Sequence, residues 1–495
     1  VRPPAAVRRL PAPTREAAVI AVAGVLGTLL TVAAAFKLGL AGLALPIVVM
    51  AAVLLLRFPG PMLVLAVAAV VICENDDFGL FPQTAQLYTD LVKGFMPIDA
   101  ILALSLIGIA AQVVQDRRPV RLPPAPLALT LALLGLALAS GILVGRDAGN
   151  GVTDSLLKVH TFVYLALVPL MAANLRVGRR DVLRVLWLGV ALALAKGLLG
   201  LLVVATGRGL SFDASVITYY EPAANWLMTV ALLSIIAAVL GRARPPLWVI
   251  GAAPILLLAL VLSYRRSFWI ADLLGIALVV LLGLSSGGRK VALPGAVLVG
   301  AAIWALGGVA VQSDTPLGQR VQSLSAANIQ AKPDDRYRLD ERANVVAEIR
   351  KHPVAGLGIG IPWDASARPL PVEVNPDHQY VHFAVLYWWL KLGVLGMLAY
   401  LAMVLTALLM SFRIWKHAPE PFVRAFGLGS LCSIVGLVVI ETTATFSGTD
   451  ARFTLVLAGQ LALLGVLWRR ADPAARPVAE GPADQPASSA LTAAV

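Results

Sequence analysis

The sequence predicts an all-α, polytopic integral membrane protein with about 12–14 transmembrane helices and one large outer loop. Three observations carry this. Of the 495 residues, 59% are hydrophobic and only 14% are charged; a soluble domain has about 45–50% and about 25%. The mean hydropathy is +0.83, and apolar runs near the ~20 residues that cross a bilayer follow one another along most of the chain. One long polar stretch, 312–377, interrupts that series late.

Fourteen apolar segments are legible: about 17–36, 38–56, 60–73, 98–114, 126–144, 159–175, 182–206, 223–240, 246–263, 267–284, 291–311, 380–411, 422–446 and 451–468. The first is long enough to span and is read as a helix, not as a cleaved leader. The third is short, and a re-entrant segment is the alternative. The twelfth is long enough to project from the bilayer. Basic residues punctuate the series: Arg8 and Arg9, Arg57, Arg117 and Arg118, Arg179 and Arg180, Arg242 and Arg244, Arg289 and Lys290, Arg413 and Lys416, Arg469 and Arg470. They fall on alternate loops, which the positive-inside rule assigns to the cytoplasm. Both termini are then cytoplasmic, and 312–379 faces outward with 74–97, 145–158, 207–222, 263–266 and 447–450. Four regions result: helices over 1–311, the outer loop with an amphipathic helix at 312–379, helices over 380–470, and a Pro/Ala-rich cytoplasmic tail at 471–495, expected to be disordered.

The formal net charge is +12. The basic residues cluster at the ends of apolar runs, so they read as topology signals and contacts to anionic membrane lipids; no nucleic acid partner is expected. Cys73 and Cys432 lie in apolar runs and imply no disulfide framework.

Chemistry concentrates at the outer face. Asp334 or Asp335 can cap a helix running to about Lys351, and Pro353 stops it. Leu339, Ala343, Val346 and Ile349 would form its apolar stripe on the membrane surface. Arg338 and Arg342 are four apart and share a face; Arg336 precedes them. Gly356, Gly358 and Gly360 follow in a spacing that is not a dinucleotide fingerprint. Arg265 and Arg266 end an apolar span on the outer side, where arginine is disfavoured. Their planar donor forks suit phosphate, with snorkelling to headgroups as the alternative. Arg146, Lys158, His160 and Arg208 are further outward cations.

His378 and His382 are spaced i, i+4 at a predicted helix start. That spacing suits a metal, yet only Glu373 and Asp377 lie near, and a neutral histidine at an interface is a natural general base. No metal and no cofactor is expected. Lys196, Glu221, Asp272, Lys391 and Glu441 fall in or beside apolar segments, where ionisable groups are costly. Lys196 and Lys391 can snorkel; Glu221, at an outer helix mouth, is the best supporting residue.

These residues resemble the O-antigen ligase and polysaccharide polymerase superfamily of bacterial membrane glycosyltransferases. The shared features are the late outer loop, the outward helix end from Ser263 to Arg266, the Arg-rich helix running into a Pro-x-x-Gly-x-Gly turn, and a histidine before a helix ending in Gly-x-x-Gly, here His382 to Gly393 and Gly396. Phe383 and Gln379 stand where the family histidine is usually followed by asparagine. Spacing to Gly393 favours His382 as that histidine; the more polar neighbourhood favours His378. The resemblance implies a GT-C-like fold in the plasma membrane and transfer of a glycan from a polyprenyl-pyrophosphate donor to a glycan or glycolipid acceptor at the outer face, without metal and with inversion. It implies His382 or His378 as catalytic base. Arg265, Arg266, Arg338, Arg342 and Arg336 would bind the donor pyrophosphate, and Glu221, Arg146 and Arg208 would support it or the acceptor. The competing readings are a polymerase, a lipid-linked glycan flippase or transporter, and a metal-dependent transferase using Asp76 and Asp77.

Overall fold

The computed structural model describes residues 52–54, 56–72, 87, 95–207, 210–212, 216–218, 221–284, 333–370 and 377–471. The helices are α1 (Pro59–Ile72), α2 (Pro97–Gln115), α3 (Ala125–Asp147), α4 (Val152–Asn174), α5 (Arg179–Ala205), α6 (Pro222–Leu240), α7 (Leu247–Leu262), α8 (Arg266–Gly283), α9 (Pro333–Lys351), α10 (Ala384–His417), α11 (Pro421–Ile440) and α12 (Ala451–Arg470). A three-residue hairpin, β1 (Leu210–Phe212) against β2 (Val216–Thr218), pairs Ser211 with Ile217 in the α5–α6 connection. Among the described residues, nine helices are long and apolar enough to cross a membrane, and α1 and α7 are shorter apolar helices. The predicted segments at 17–36, 38–56 (all but its last residues) and 291–311 lie outside the described residues, as do most of 74–97, Asp76, Asp77, Arg208, 285–332 and the tail.

Local chemistry sets the helix starts. Proline opens α2, α6 and α11, where its missing N–H has no intrahelical partner to lose. Asp99 accepts the Met96 N–H at 2.8 Å, Asp181 accepts the Gly178 N–H at 2.9 Å, and Asp450 accepts the N–H groups of Arg452 and Phe453. Each carboxylate thereby satisfies donors at a helix start that nothing inside the helix can satisfy.

Helices α6, α11 and α12 form the centre: 78%, 72% and 67% of their spanning windows are buried, against 28% for α3 and α8. Lipid offers no hydrophobic drive between apolar helices, so close approach of small residues matters. Gly429 of α11 meets Ser234 of α6, where a Cβ would sit 2.5 Å from the serine Oγ. Gly275 of α8 meets Leu233 in the same way.

Three expectations need correction. The twelfth segment is not one straight helix: α10 is broken at Gly393, whose φ of 68° and ψ of −164° are not helical. The thirteenth ends at Ile440, because the Glu441 carboxylate accepts the Phe446 and Ser447 N–H groups and folds 441–450 into a turn. The sixth begins early, at Val152, which places Lys158 and His160 in the first turns of α4.

The connections sort to two ends. At one, Arg469 bonds the Leu122 and Ala173 carbonyls, Arg470 bonds the Val177 carbonyl and Arg179 pairs with Glu420 at 2.6 Å. At the other, the loop after α9 reaches the α3 terminus, the α10 start and the 441–450 turn. The basic loops and the predicted chemistry therefore occupy opposite ends.

Candidate active site

Helix α9 is more polar than a membrane-surface helix, and its buried face differs from the predicted stripe. Of that stripe Leu339 is exposed, Ala343 and Val346 are half-buried and Ile349 is buried, whereas Tyr337, Glu341, Asn344, Val345 and Glu348 are buried outside it. Polar groups face inward because partners await them. Asn344 exchanges two bonds with the Arg368 backbone at 2.7 and 2.8 Å. Asp335 meets the Arg266 guanidinium at 2.6 Å. Glu341, fully buried, accepts the His382 backbone N–H at 2.9 Å and lies 3.0 Å from His382 Nδ1.

That last contact sets the imidazole. A carboxylate oxygen only accepts, so Nδ1 carries a proton, and in the neutral imidazole Nε2 is the nitrogen with the lone pair. Among the described residues, Nε2 has no hydrogen-bond partner. The ring is flanked edge-on by Tyr380 at 5.0 Å and Tyr337 at 6.0 Å. Tyr380 is itself held by the 441–450 turn: its hydroxyl donates to the Thr445 carbonyl and accepts the Thr445 N–H. Burial pushes the Tyr380 phenol well above its usual range; the Thr445 N–H and the charge of Arg338 oppose that, while Glu341 and Glu441 add to it. Arg338 therefore acts on the histidine's immediate neighbourhood.

The histidines do not share a helix face. Residues 377–383 are not helical, and α10 starts only at Ala384. His378 sits in the left-handed region at φ 48° and stacks on Trp363, 4.4 Å between ring centroids, while its carbonyl accepts the Trp363 N–H. The i, i+4 pairing is thus absent. Among the described residues no three His, Cys, Asp or Glu side chains gather as metal ligands.

The arginines divide by partner. Arg266 ties α8 to α9 through Asp335, which also lies 3.9 Å from Arg338. Arg265 lies over the Phe446 ring at 5.4 Å. Arg336 pairs with Asp340 at 3.6 Å, and Arg368 does so at 3.5 Å. Arg338 and Arg342 do share a face: Arg338 is half-exposed, and Arg342 is exposed over the Phe383 ring at 5.3 Å. Arg146 is exposed in the last turn of α3, at the same end. Glu221 is buried between Lys196 at 3.2 Å and Arg452 at 3.5 Å, joining α5, α6 and α12. Lys196 is fully buried, and Lys391 donates to the Ile361 carbonyl, so neither snorkels.

The glycine turn is a clamp between helices. Leu357 N–H bonds the Leu390 carbonyl, Ile359 N–H bonds the Gly141 carbonyl, and Asn150 Nδ2 bonds the Ile359 carbonyl. Gly358 has φ 87°, and a Cβ there would lie 2.3 Å from the Gly145 nitrogen. Gly393, at the α10 break, would push a Cβ to 2.1 Å from the Val354 carbonyl. Backbone meets backbone at both places, which only glycine permits. The clamp fixes 352–363, and Trp363 in turn holds the segment carrying His382 through the Tyr380 carbonyl.

The sequence alone overlooked Glu341, Tyr380 and the 441–450 turn, and read Asp335 only as a helix cap, not as the partner of Arg266. Glu341 stood within the Arg-rich run and Asp335 just before it, but partners 41 and 69 residues away leave no local signal.

Fold and site together define a polytopic helical membrane protein with a histidine–carboxylate pair beneath a cationic helix at one end. Residues 251–401 match the family model described as O-Antigen ligase. The match runs from α7 into α10, taking in Arg265, Arg266, α9, the glycine turn and His382, and over this segment the chain is similar to the superfamily of O-antigen ligases and polymerases. Members of that family are glycosyltransferase-like ligases. No curated protein matched the sequence.

Proposed function

We propose that this protein is an O-antigen ligase-like glycosyltransferase. It moves a glycan from a polyprenyl-pyrophosphate donor to a glycan or glycolipid acceptor at the outer face of the plasma membrane. The observation that carries this is the Glu341–His382 pair with Nε2 unengaged, beside the arginine face of α9 and inside the matched segment.

Nε2 takes the acceptor hydroxyl proton as the oxygen attacks the anomeric carbon. The bond from that carbon to the pyrophosphate oxygen breaks, and its electron pair leaves with the pyrophosphate. One such displacement inverts the centre. Charge grows on the leaving group as the bond breaks, so preplaced guanidinium groups act most strongly in the transition state. Arg338 and Arg342 are the accessible pair; Arg266 holds the helix that presents them. Arginines at the leaving group remove the need for a metal in this scheme. The basic loops at the opposite end support the reading that this end faces outward.

The test is transfer by purified protein from a lipid-linked donor. His382→Ala should retain donor while losing transfer; Arg338→Ala with Arg342→Ala should lose donor affinity. Normal transfer by both sets overturns the reading. Cells lacking the protein should accumulate a full-length lipid-linked chain. A capped single repeat unit would assign the same chemistry to a polymerase.

A further inference from the structure

The end opposite the candidate active site carries a cavity of about 490 Å³ among the α2–α3 loop, the α4–α5 loop and the end of α12. Among the described residues, Arg121, Arg176, Arg469 and Arg470 line it, and no carboxylate does. Arg176 reaches outside it to Asp116 at 2.8 Å. Arg469 and Arg470 bond backbone carbonyls, and among the described residues neither is ion-paired with a carboxylate. Arg121 is close enough to Arg469 for the two charges to repel.

A second cavity, about 210 Å³, runs on from the first between the spanning helices. The two share Ala172, Leu175, Val177, Ala462 and Val466 as walls. The inner one is lined almost wholly by apolar side chains, among them Val67, Leu186, Val230 and Phe426. A cationic chamber at the membrane boundary thus continues into an apolar channel. Repelling guanidinium groups favour an anion between them, and an apolar channel favours a hydrocarbon chain.

We propose that this composite cavity binds an anionic phospholipid, with its phosphate among Arg121, Arg469 and Arg470 and an acyl chain in the apolar channel. The site is distinct from that of transfer, and it secures the α4–α5 and α2–α3 loops against α12. Basic pockets between spanning helices are established sites for anionic headgroups.

Native mass spectrometry of the full chain in detergent tests this, with dioleoylphosphatidylglycerol, dioleoylphosphatidylcholine and a polyprenyl phosphate as probes. The phosphatidylglycerol should be retained and the phosphatidylcholine not. Arg121→Gln combined with Arg469→Gln should weaken retention about thirty-fold, at about tenfold per 1.4 kcal/mol and about 1 kcal/mol per basic residue. Arg180→Gln, an exposed arginine at the same end outside the cavity, should leave it unchanged. Equal retention of the zwitterionic lipid, or an unaffected double variant, overturns the proposal. Tighter retention of the polyprenyl phosphate overturns it too, by assigning the cavity to a carrier lipid. If the double variant fails to fold, the comparison of headgroups on the native chain still decides.

Discussion

Glu341→Gln is the most discriminating substitution at the candidate active site. The side chain accepts two N–H donors of His382, the backbone at 2.9 Å and Nδ1 at 3.0 Å, and it is fully buried. Glutamine keeps the volume but has one carbonyl oxygen, so its NH₂ must face one of the two donors. One charge-assisted contact is lost, worth about 1.5–3 kcal/mol. If all of that falls on the transition state, the rate drops about 10–150-fold. The upper bound is the whole general-base contribution, about 10²–10⁴-fold. The assay is single-turnover transfer with purified protein, Glu341→Gln measured alone and within His382→Ala. A residue acting through the histidine costs little once the histidine is gone. A further drop of the same size in the His382→Ala background refutes the pairing, and so does a wild-type rate in Glu341→Gln alone.

Other outcomes follow from the same geometry. His378→Ala should slow transfer less than His382→Ala, since it chiefly removes a stack on Trp363; the reverse order in matched assays would make His378 the base. Asp335→Ala should lower the unfolding temperature and donor affinity together, because Arg266 then loses its 2.6 Å partner on α9; a partly buried pair of this kind is worth about 1–3 kcal/mol. Gly358→Ala should fail to yield folded protein in size-exclusion analysis, as its Cβ would meet the Gly145 backbone. In a chain lacking native cysteines, Ser366→Cys and Val120→Cys, exposed at opposite ends, should label oppositely with an impermeant reagent in intact cells. Glu441 lies just past α11, and burial raises its carboxyl from 4.5 to about 7 despite the Ser447 and Phe446 bonds. The folded state then holds a proton that the unfolded state releases, so stability should fall as pH rises through that window. Glu441→Gln should flatten the profile of unfolding temperature against pH.

The sequence by itself determined the membrane class, the twelve described helices and the end at which the basic loops gather, and it named His382 and the arginines of the candidate site. Those features are local: a span needs only apolar length, an α9-like helix needs only an acidic start and a proline after it, and Arg338 and Arg342 share a face by helical period alone. Only the tertiary structure decided which group completes each residue. Glu341 and His382, Asp335 and Arg266, and Tyr380 and Thr445 lie 41, 69 and 65 residues apart. The i, i+4 reading of the histidines failed for the same reason: the stack of His378 on Trp363 and the Tyr380–Thr445 bonds hold 377–383 out of the helix, and both partners come from elsewhere in the chain. The glycines divide between the two levels. Their spacing is visible in sequence, but their purpose depends on Gly145 and the Val354 carbonyl arriving within a Cβ's reach, and that is a property of packed backbones.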